Sequence, residues 1–442
     1  MADDEKVKVD AIVVGGGPAG LSAAFTMARA GLEVILIERG EYAGAKNVGG
    51  LVYGAVLNRL IPNFWEQAPI ERCVARRSLV FLNDDMHVGL DFGADEWTRP
   101  PFNNTFVVHR SQFDRWFSKQ VEAAGANLIE GMVVEDLIYE ETAGRKKAVG
   151  VKLRGDEAFY ADVVVLADGA NGLVTEKVAQ TLGLKGGKTA QDYAVGVKEI
   201  IALPKATIED RFQLDDGQGV ALDFFGSPFK GLTGGGFLYT AKDSLHLGFA
   251  AKMETLAHAG VSPNEVLDGL KRHPVVRKYI RGGELQEYSA HLIPEGGFHA
   301  VPELTGDGVL IVGDAGGFVN MSLYKEGTNH AMDTGRLAGE TVVAAKKAGR
   351  FDRAGLAGYE AAVRQSVAWK DLKRYRKVPE ILEKSPNLLS LYPAKANRMI
   401  VDFFTVNGLP KGVAQRKAIC SFLRGLPKWA FVRDVIRARG LM

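Results

Sequence analysis

Cysteine is nearly absent: Cys73 and Cys420 are the only two in 442 residues. They are far apart and lack metal-ligand spacing, which excludes a disulfide framework, a cysteine-based zinc site and a four-cysteine iron–sulfur cluster held by this chain alone. Two buried thiols in a reducing compartment are expected instead. Also missing is any run of 18 consecutive apolar residues, so no transmembrane helix is expected and any membrane attachment must be superficial. The N-terminal Met1-Ala2-Asp3-Asp4-Glu5-Lys6 places acids where a secretory signal would be basic. Net charge is only +2, and no nucleic-acid partner is expected.

Apolar content of 46% and charged content of 24% are those of a chain with a full core, and 442 residues favour two or three structural units. The charge is unevenly spread. From Lys395 to Met442 ten basic residues face two acids, so the remainder carries −6. That asymmetry points to an acidic partner or an anionic surface for the tail.

The stretch Val9–Glu38 organises the rest. An apolar run, Val9 to Val14, enters Gly15-Gly16-Gly17-Pro18-Ala19-Gly20, an Ala-rich segment follows, and Glu33-Val34-Ile35-Leu36-Ile37-Glu38 closes it. Strand, glycine turn, helix and a second strand ending in a carboxylate form a dinucleotide-binding βαβ unit. Gly15 permits the tight turn, Gly17 leaves room for a pyrophosphate, and Gly20 lets a helix over 21–30 approach the sheet. The helix N-terminus offers N–H groups to the diphosphate, and Glu38 accepts from an adenosine ribose.

Further along, Tyr42 to Gly54 is glycine-dense yet interleaved with apolar residues, which predicts a packed segment able to pass close to a flat ring. Leu79–Leu82 and Met86–Leu90 read as a hairpin around Asn83-Asp84-Asp85. Trp97 to Phe102 is a proline-bearing loop read either as an interface or lipid-facing edge or as ordinary core plugs. A helix capped by Ser111 follows, with Arg110 before it reaching a phosphate or ring carbonyl, or else forming a surface salt bridge. Asp162 to Gly169 and Val309 to Gly317 are two more buried strands running into glycine turns, at Asp168-Gly169 and Gly313-Asp314. Gly327 starts a long helix over 328–349, while 194–291 alternates as an antiparallel sheet with a face open to an apolar substrate. Residues 351–442 are helical; Lys428 to Arg437 mixes arginines with Trp429, as a membrane-surface helix or a core-packing one would.

Together, Gly15-x-Gly17-x-x-Gly20 with Glu38, Ala167-Asp168-Gly169 and Gly313-Asp314-Ala315 resemble the FAD-dependent family of aromatic hydroxylases, geranylgeranyl reductases and electron-transfer-flavoprotein:quinone oxidoreductases. Within it the chain is similar to the FixC branch over nearly its full length, through 44–54, Ile61 to Glu66, Val108 to Asp114, Gly313 to Phe318, Lys325-Glu326-Gly327 and Asp402 to Gly408. The implied fold is α/β: a Rossmann-like FAD-binding domain of the glutathione-reductase and aromatic-hydroxylase type (1–82, 106–193, 295–350), an inserted antiparallel substrate or quinone domain (83–105, 194–294) and a helical, basic C-terminal region (351–442).

The resemblance implies an FAD that takes electrons from an electron-transfer flavoprotein heterodimer and passes them to a membrane quinone, in a multi-subunit complex open to electron bifurcation. Cofactor contacts are then expected at Gly15, Gly17, Pro18, Ala19, Gly20, Glu38, Arg39, Gly50, Arg110, Val134, Asp168, Gly169, Gly313, Asp314 and Gly327. Lys46, Asn47, Lys325 and Asn329 are expected near the flavin ring, and Trp97, Pro101, Phe102 and Phe225 on the quinone or membrane side. No side chain is expected to act as nucleophile or metal ligand. Single-chain members carry a four-cysteine cluster domain; without those cysteines, a separate ferredoxin-like subunit is expected. The implied location is cytoplasmic and peripheral, on the inner face of the cell membrane. A reductase of isoprenoid chains and a non-catalytic FAD-fold scaffold are the rival readings.

Overall fold

The computed structural model describes residues 8–45, 48–155 and 157–441, which divide into two compact units. The first comprises 1–70, 108–193 and 292–376, the second 71–107, 194–291 and 377–442. The helical region expected over 351–442 is thus shared: 351–376 goes with the first unit and 377–442 with the second.

In the first unit the strands Val309–Ile311, Ala158–Leu166, Lys8–Val14, Val34–Glu38 and Asn127–Glu130 lie side by side and all run parallel. Apart from the edge strand Asn127–Glu130, each is aliphatic and buried toward its C-terminal end, as a sheet covered on both faces requires. The register aligns Val14 with Ile37 and Leu166, and Leu166 with Ile311. Consequently the three glycine turns, at Gly15, Asp168-Gly169 and Gly313, leave the same edge of the sheet. The hairpin Val134–Thr142 with Arg145–Leu153 joins through the latter strand to Ala158–Leu166.

The first helix, Pro18–Arg29, begins three residues earlier than the glycine pattern alone suggested. Pro18 is the cause: its fixed φ suits a first helical turn, and its missing N–H would have no partner there. The long helix Thr328–Ala348 lies against it at backbone distance. A Cβ at Gly335 would fall 2.0 Å from the Ala19 carbonyl oxygen, and one at Gly339 2.9 Å from that of Ala23. At Gly313, a Cβ would lie 2.7 Å from Ala19 Cβ and 3.4 Å from Ala331 Cβ, so the opening turns of both helices converge on that glycine.

The second unit is built on the strand order Glu284–Pro294, Tyr193–Ala202, Ser244–Lys252, Gly234–Thr240, Gln218–Gly226 and Arg72–Asn83. Met86–Gly93 folds back on Arg72–Asn83 as the expected hairpin. Within the expected range the pairs of Tyr193–Ala202 with Ser244–Lys252, Gln218–Gly226 with Gly234–Thr240, and Gly234–Thr240 with Ser244–Lys252 are antiparallel, but the sheet reaches beyond it, where Gln218–Gly226 runs parallel to Arg72–Asn83. A parallel neighbour cannot be joined by a tight turn, and between these two strands the chain passes through the first unit. Helices Lys205–Phe212 and Pro263–Arg272 contribute to an aromatic-rich core around Phe224, Phe229 and Phe249. The terminal helices belong here too: Asn397 donates to the Phe81 carbonyl at 2.7 Å, and buried Asp434 accepts from Ser385 and Tyr392.

Of the two cysteines, Cys73 is partly buried, which pushes its thiol up, but Cys420 is exposed, against the expectation that both would be interior. Trp429 is 89% exposed, so its helix Lys428–Ala438 does not use it for core packing.

Because the two helices meet backbone to backbone, Gly335→Ala will lower stability by about 1–3 kcal/mol, the usual cost of overpacking a tight contact. Urea unfolding checks this, and an unchanged midpoint would mean that the helices separate freely.

Candidate functional site

The strand edge carrying the three turns gathers most of the residues expected at the cofactor. Gly15 takes φ +108°, and a Cβ there would fall 2.3 Å from the Ala167 carbonyl oxygen, so only glycine serves. A Cβ on Gly20 would lie 1.9 Å from the Gly15 carbonyl oxygen, whereas one on Gly17 would meet nothing within 4 Å. Gly20 is therefore a packing glycine and Gly17 a cleft-facing one. Gly17 caps the first helix with no side-chain acceptor, which leaves the first-turn N–H groups and the positive helix end for an anion.

Glu38 closes the second strand. One carboxylate oxygen accepts from Gly16 N–H at 2.7 Å and the other from Gly40 N–H at 2.6 Å, so the group is fixed in place with lone pairs to spare. The segment before Val134 is tied to the same place, with Met132 N–H donating to the Glu38 carbonyl and Gly131 N–H to that of Gly40. Val134 itself is buried and Arg39 is exposed.

Arg110 forms a bidentate pair with Asp114, at 2.8 and 2.7 Å, and both side chains are largely buried. This corrects two expectations: Arg110 is not in a surface salt bridge, and Ser111 does not cap the helix, which begins at Arg110 itself with no side-chain cap. Burial would depress the Arg110 guanidinium, but Asp114, and then Asp314, outweigh it and hold it above its usual value. Gly44 packs on this helix start, where a Cβ would fall 2.7 Å from the Arg110 carbonyl oxygen. Gly50 lies in the strand Gly49–Tyr53, whereas Lys46 and Asn47 lie outside the described residues.

Asp314 sits in the turn Gly313–Gly316, its carboxyl raised by burial and drawn back by Lys188 and Arg110. Among the described residues no hydrogen bond reaches its carboxylate. Lys188, which sequence reasoning missed, donates to the carbonyls of Asp314 and Ala315 at 2.8 and 2.7 Å and so fixes the turn. Burial lowers the Lys188 ammonium against the pull of Asp314, Asp168 and Glu176. Its isolated place in Gly186-Gly187-Lys188 gave no periodic signal.

Asp168 differs from expectation in its side chain, which accepts from Val174 and Thr175 N–H and so caps the helix Leu173–Leu182. Only the backbone at Asp168-Gly169 remains for the cleft. Gly327 caps Thr328–Ala348, again with no side-chain acceptor. Asn329 is occupied by Glu326 at 2.9 Å, and Lys325 adopts φ +50° in the turn before the helix.

The apolar candidates belong to the second unit. Trp97 meets Phe92 edge to face and Phe102 meets Phe106 likewise; both are half-buried, and Pro101 is exposed. Phe225 packs against Phe81 inside the sheet and is 7% exposed.

An uncapped helix end, an open Gly17, the fixed carboxylate of Glu38 and the buried carboxyl of Asp314, with no hydrogen-bond donor among the described residues, fit an FAD of extended form. Gly17→Ala, whose φ of −80° any residue tolerates, will leave apoprotein stability within about 0.5 kcal/mol. It will lower FAD affinity by about tenfold or more, as will Asp314→Ala, in flavin-fluorescence titrations. Equal affinity in both variants would remove the assignment.

Three family models match this chain: FAD dependent oxidoreductase over residues 10–211, ETF-QO ubiquinone-binding over 193–293, and ETF-QO/FixC family C-terminal domain over 378–442. A probable electron transfer flavoprotein-quinone oxidoreductase of Escherichia coli K12, YdiS, is 42% identical over 93% of both chains. Protein FixC of Rhizobium meliloti is 38% identical over 98% of both. Among solved structures, a geranylgeranyl bacteriochlorophyll reductase-like protein from Thermoplasma acidophilum superposes with TM-score 0.72 at 19% identity, over 99% of this chain and 100% of that one. The halogenase CndH superposes at 0.62 with 18% identity, over 94% and 97%; both likenesses are of fold. With a parallel-sheet FAD edge and relatives at this identity from end to end, the chain belongs to the FixC and electron-transfer-flavoprotein:quinone oxidoreductase family and is an FAD-dependent oxidoreductase.

Proposed function

We propose that this oxidoreductase accepts electrons from an electron-transfer flavoprotein heterodimer and delivers them to a membrane quinone. The observation that carries the reading is 42% identity, over 93% of both chains, to a protein named for that reaction. FAD supplies the redox chemistry, taking and giving electrons singly or in pairs. The chain's own residues bind and position. Gly15, Gly17, Pro18, Ala19 and Gly20 receive the diphosphate, Glu38 the adenosine ribose with Arg39 and Val134 beside it, and Asp314 a ribityl hydroxyl. Gly50, Arg110, Asp168, Gly169, Gly313 and Gly327 are assigned to the same path and Lys325 and Asn329 to the neighbourhood of the ring, where the helix end at Gly327 would favour negative charge on the flavin's N1 edge. Trp97, Pro101 and Phe102 are assigned to the quinone side. The chain's two cysteines leave an iron–sulfur centre to a separate ferredoxin-like subunit.

We also assign the C-terminal helices to the inner face of the cell membrane. No described helix is long and apolar enough to cross one. Yet Phe404, Val406 and Trp429 are 75%, 84% and 89% exposed, beside exposed Lys411, Arg416, Lys417 and Lys428. A basic side chain contributes about 1 kcal/mol near an anionic leaflet, so a few together with inserted aromatics hold a peripheral protein.

Purified protein will have its flavin bleached by a reduced electron-transfer flavoprotein and recoloured by a quinone analogue, while prenyl chains stay unsaturated. Failure to bleach with any such donor favours the scaffold reading, and saturation of prenyl chains the reductase reading. Binding to anionic phospholipid vesicles will fall with added salt and in the full-length triple variant Lys411→Glu, Arg416→Glu, Lys417→Glu. Co-sedimentation insensitive to both would release the tail from the membrane.

A further inference from the structure

One cluster of the first unit is used by nothing described so far. His330, in the first turn of the helix Thr328–Ala348, is 1% exposed, and among the described residues neither ring nitrogen has a hydrogen-bond partner. Glu326, on the turn leading into that helix, brings a carboxylate oxygen to 3.7 Å from His330 Nε2. Asp371, from the separate helix Val367–Arg374, completes the group, with one ligand atom of each residue within 4.8 Å of the others. We propose that Glu326, His330 and Asp371 bind a divalent transition-metal ion of the zinc type.

The chemistry of the three groups favours a cation over any other occupant. Two carboxylates turned toward each other in a partly desolvated place repel, and burial followed by the charge of Glu326 raises the Asp371 carboxyl. An imidazole with two unpaired buried nitrogens costs free energy unless something accepts its lone pair or takes its proton. Burial keeps His330 neutral, with its pKa lowered to about 4, which leaves a lone pair available at neutral pH. One imidazole with two carboxylates is a mixed nitrogen and oxygen set that suits Zn2+, Mn2+ or Fe2+ better than Ca2+ or Mg2+, with water filling the remaining positions.

The surroundings hold the ligands in place. Asn320 and Asn329 donate side-chain amides to the two oxygens of Glu326, at 3.1 and 2.9 Å, as second partners of metal-binding carboxylates do. The nearby Asp333 is already paired with Arg336 at 2.7 Å and does not compete. A bound ion would tie the helix Val367–Arg374 to the turn that precedes Gly327. It would therefore set the rigidity of that helix start without entering the redox step. The proposal stands apart from the electron-relay reading, since metal binding is measured without any donor or quinone.

The test uses full-length, FAD-loaded protein, freed of metal by chelation and then dialysed. Titration with Co2+, followed by its ligand-field absorption, will reach one equivalent, and Zn2+ will displace it. His330→Gln and Asp371→Asn will each weaken Co2+ binding by at least about tenfold while flavin content is unchanged, and Zn2+ will raise the thermal midpoint of the parent protein but not of Asp371→Asn. Binding well below one equivalent in the parent protein overturns the proposal, as does unaltered affinity in Asp371→Asn. The latter variant changes a half-buried surface helix and carries the test even where His330→Gln fails to fold.

Discussion

The structure of the first unit depends on a contact in which side chains are missing. Helices Pro18–Arg29 and Thr328–Ala348 approach until Gly335 touches the Ala19 carbonyl, a distance no alanine could keep. Because Gly313 sits where both helices begin, the closeness of that approach decides where two positive helix ends point. Neither end carries a side-chain cap. Helix starts without side-chain caps call for an acceptor, and a dinucleotide that offers a diphosphate at its middle and a reducible ring at one end meets both.

What the sequence made legible was local. Strand, glycine turn, helix and acid follow one another within thirty residues, and each has a steric or hydrogen-bonding reason readable from the residue types. The two remote turns were recognisable by the same pattern of a buried strand ending in glycine, and parallel pairing with aligned register brings them to one edge. The missed features are long-range. Lys188 reaches the turn at Asp314 across 126 residues, and no periodicity announces such a bond. Asp114 was unremarkable until Arg110 was seen to be buried with it. Asp168 was read from its place at a strand end, but two N–H groups six and seven residues on claim its carboxylate. The parallel strand pair of the second unit was hidden for a similar reason: alternation reports a strand's faces, not the direction of its neighbour.

The titratable groups around the sheet edge bear on the kind of chemistry the site performs. Glu38 is held by two backbone N–H groups, Asp168 by a helix start, Arg110 by Asp114, and Lys188 by two carbonyls. A general acid or base must exchange its proton with substrate, and a group held in place by the fold in this way is suited to positioning instead. Such groups fix positions and set a field instead. An electrostatic frame that does not rearrange is what electron transfer through a bound cofactor requires, because each reorganised dipole adds to the barrier. Asp314 is the exception: its carboxylate lacks a protein donor among the described residues, and a cofactor hydroxyl is the partner its setting suits. Glu38, with lone pairs to spare, and Asp314 thus leave acceptors where the hydroxyls of a dinucleotide are expected.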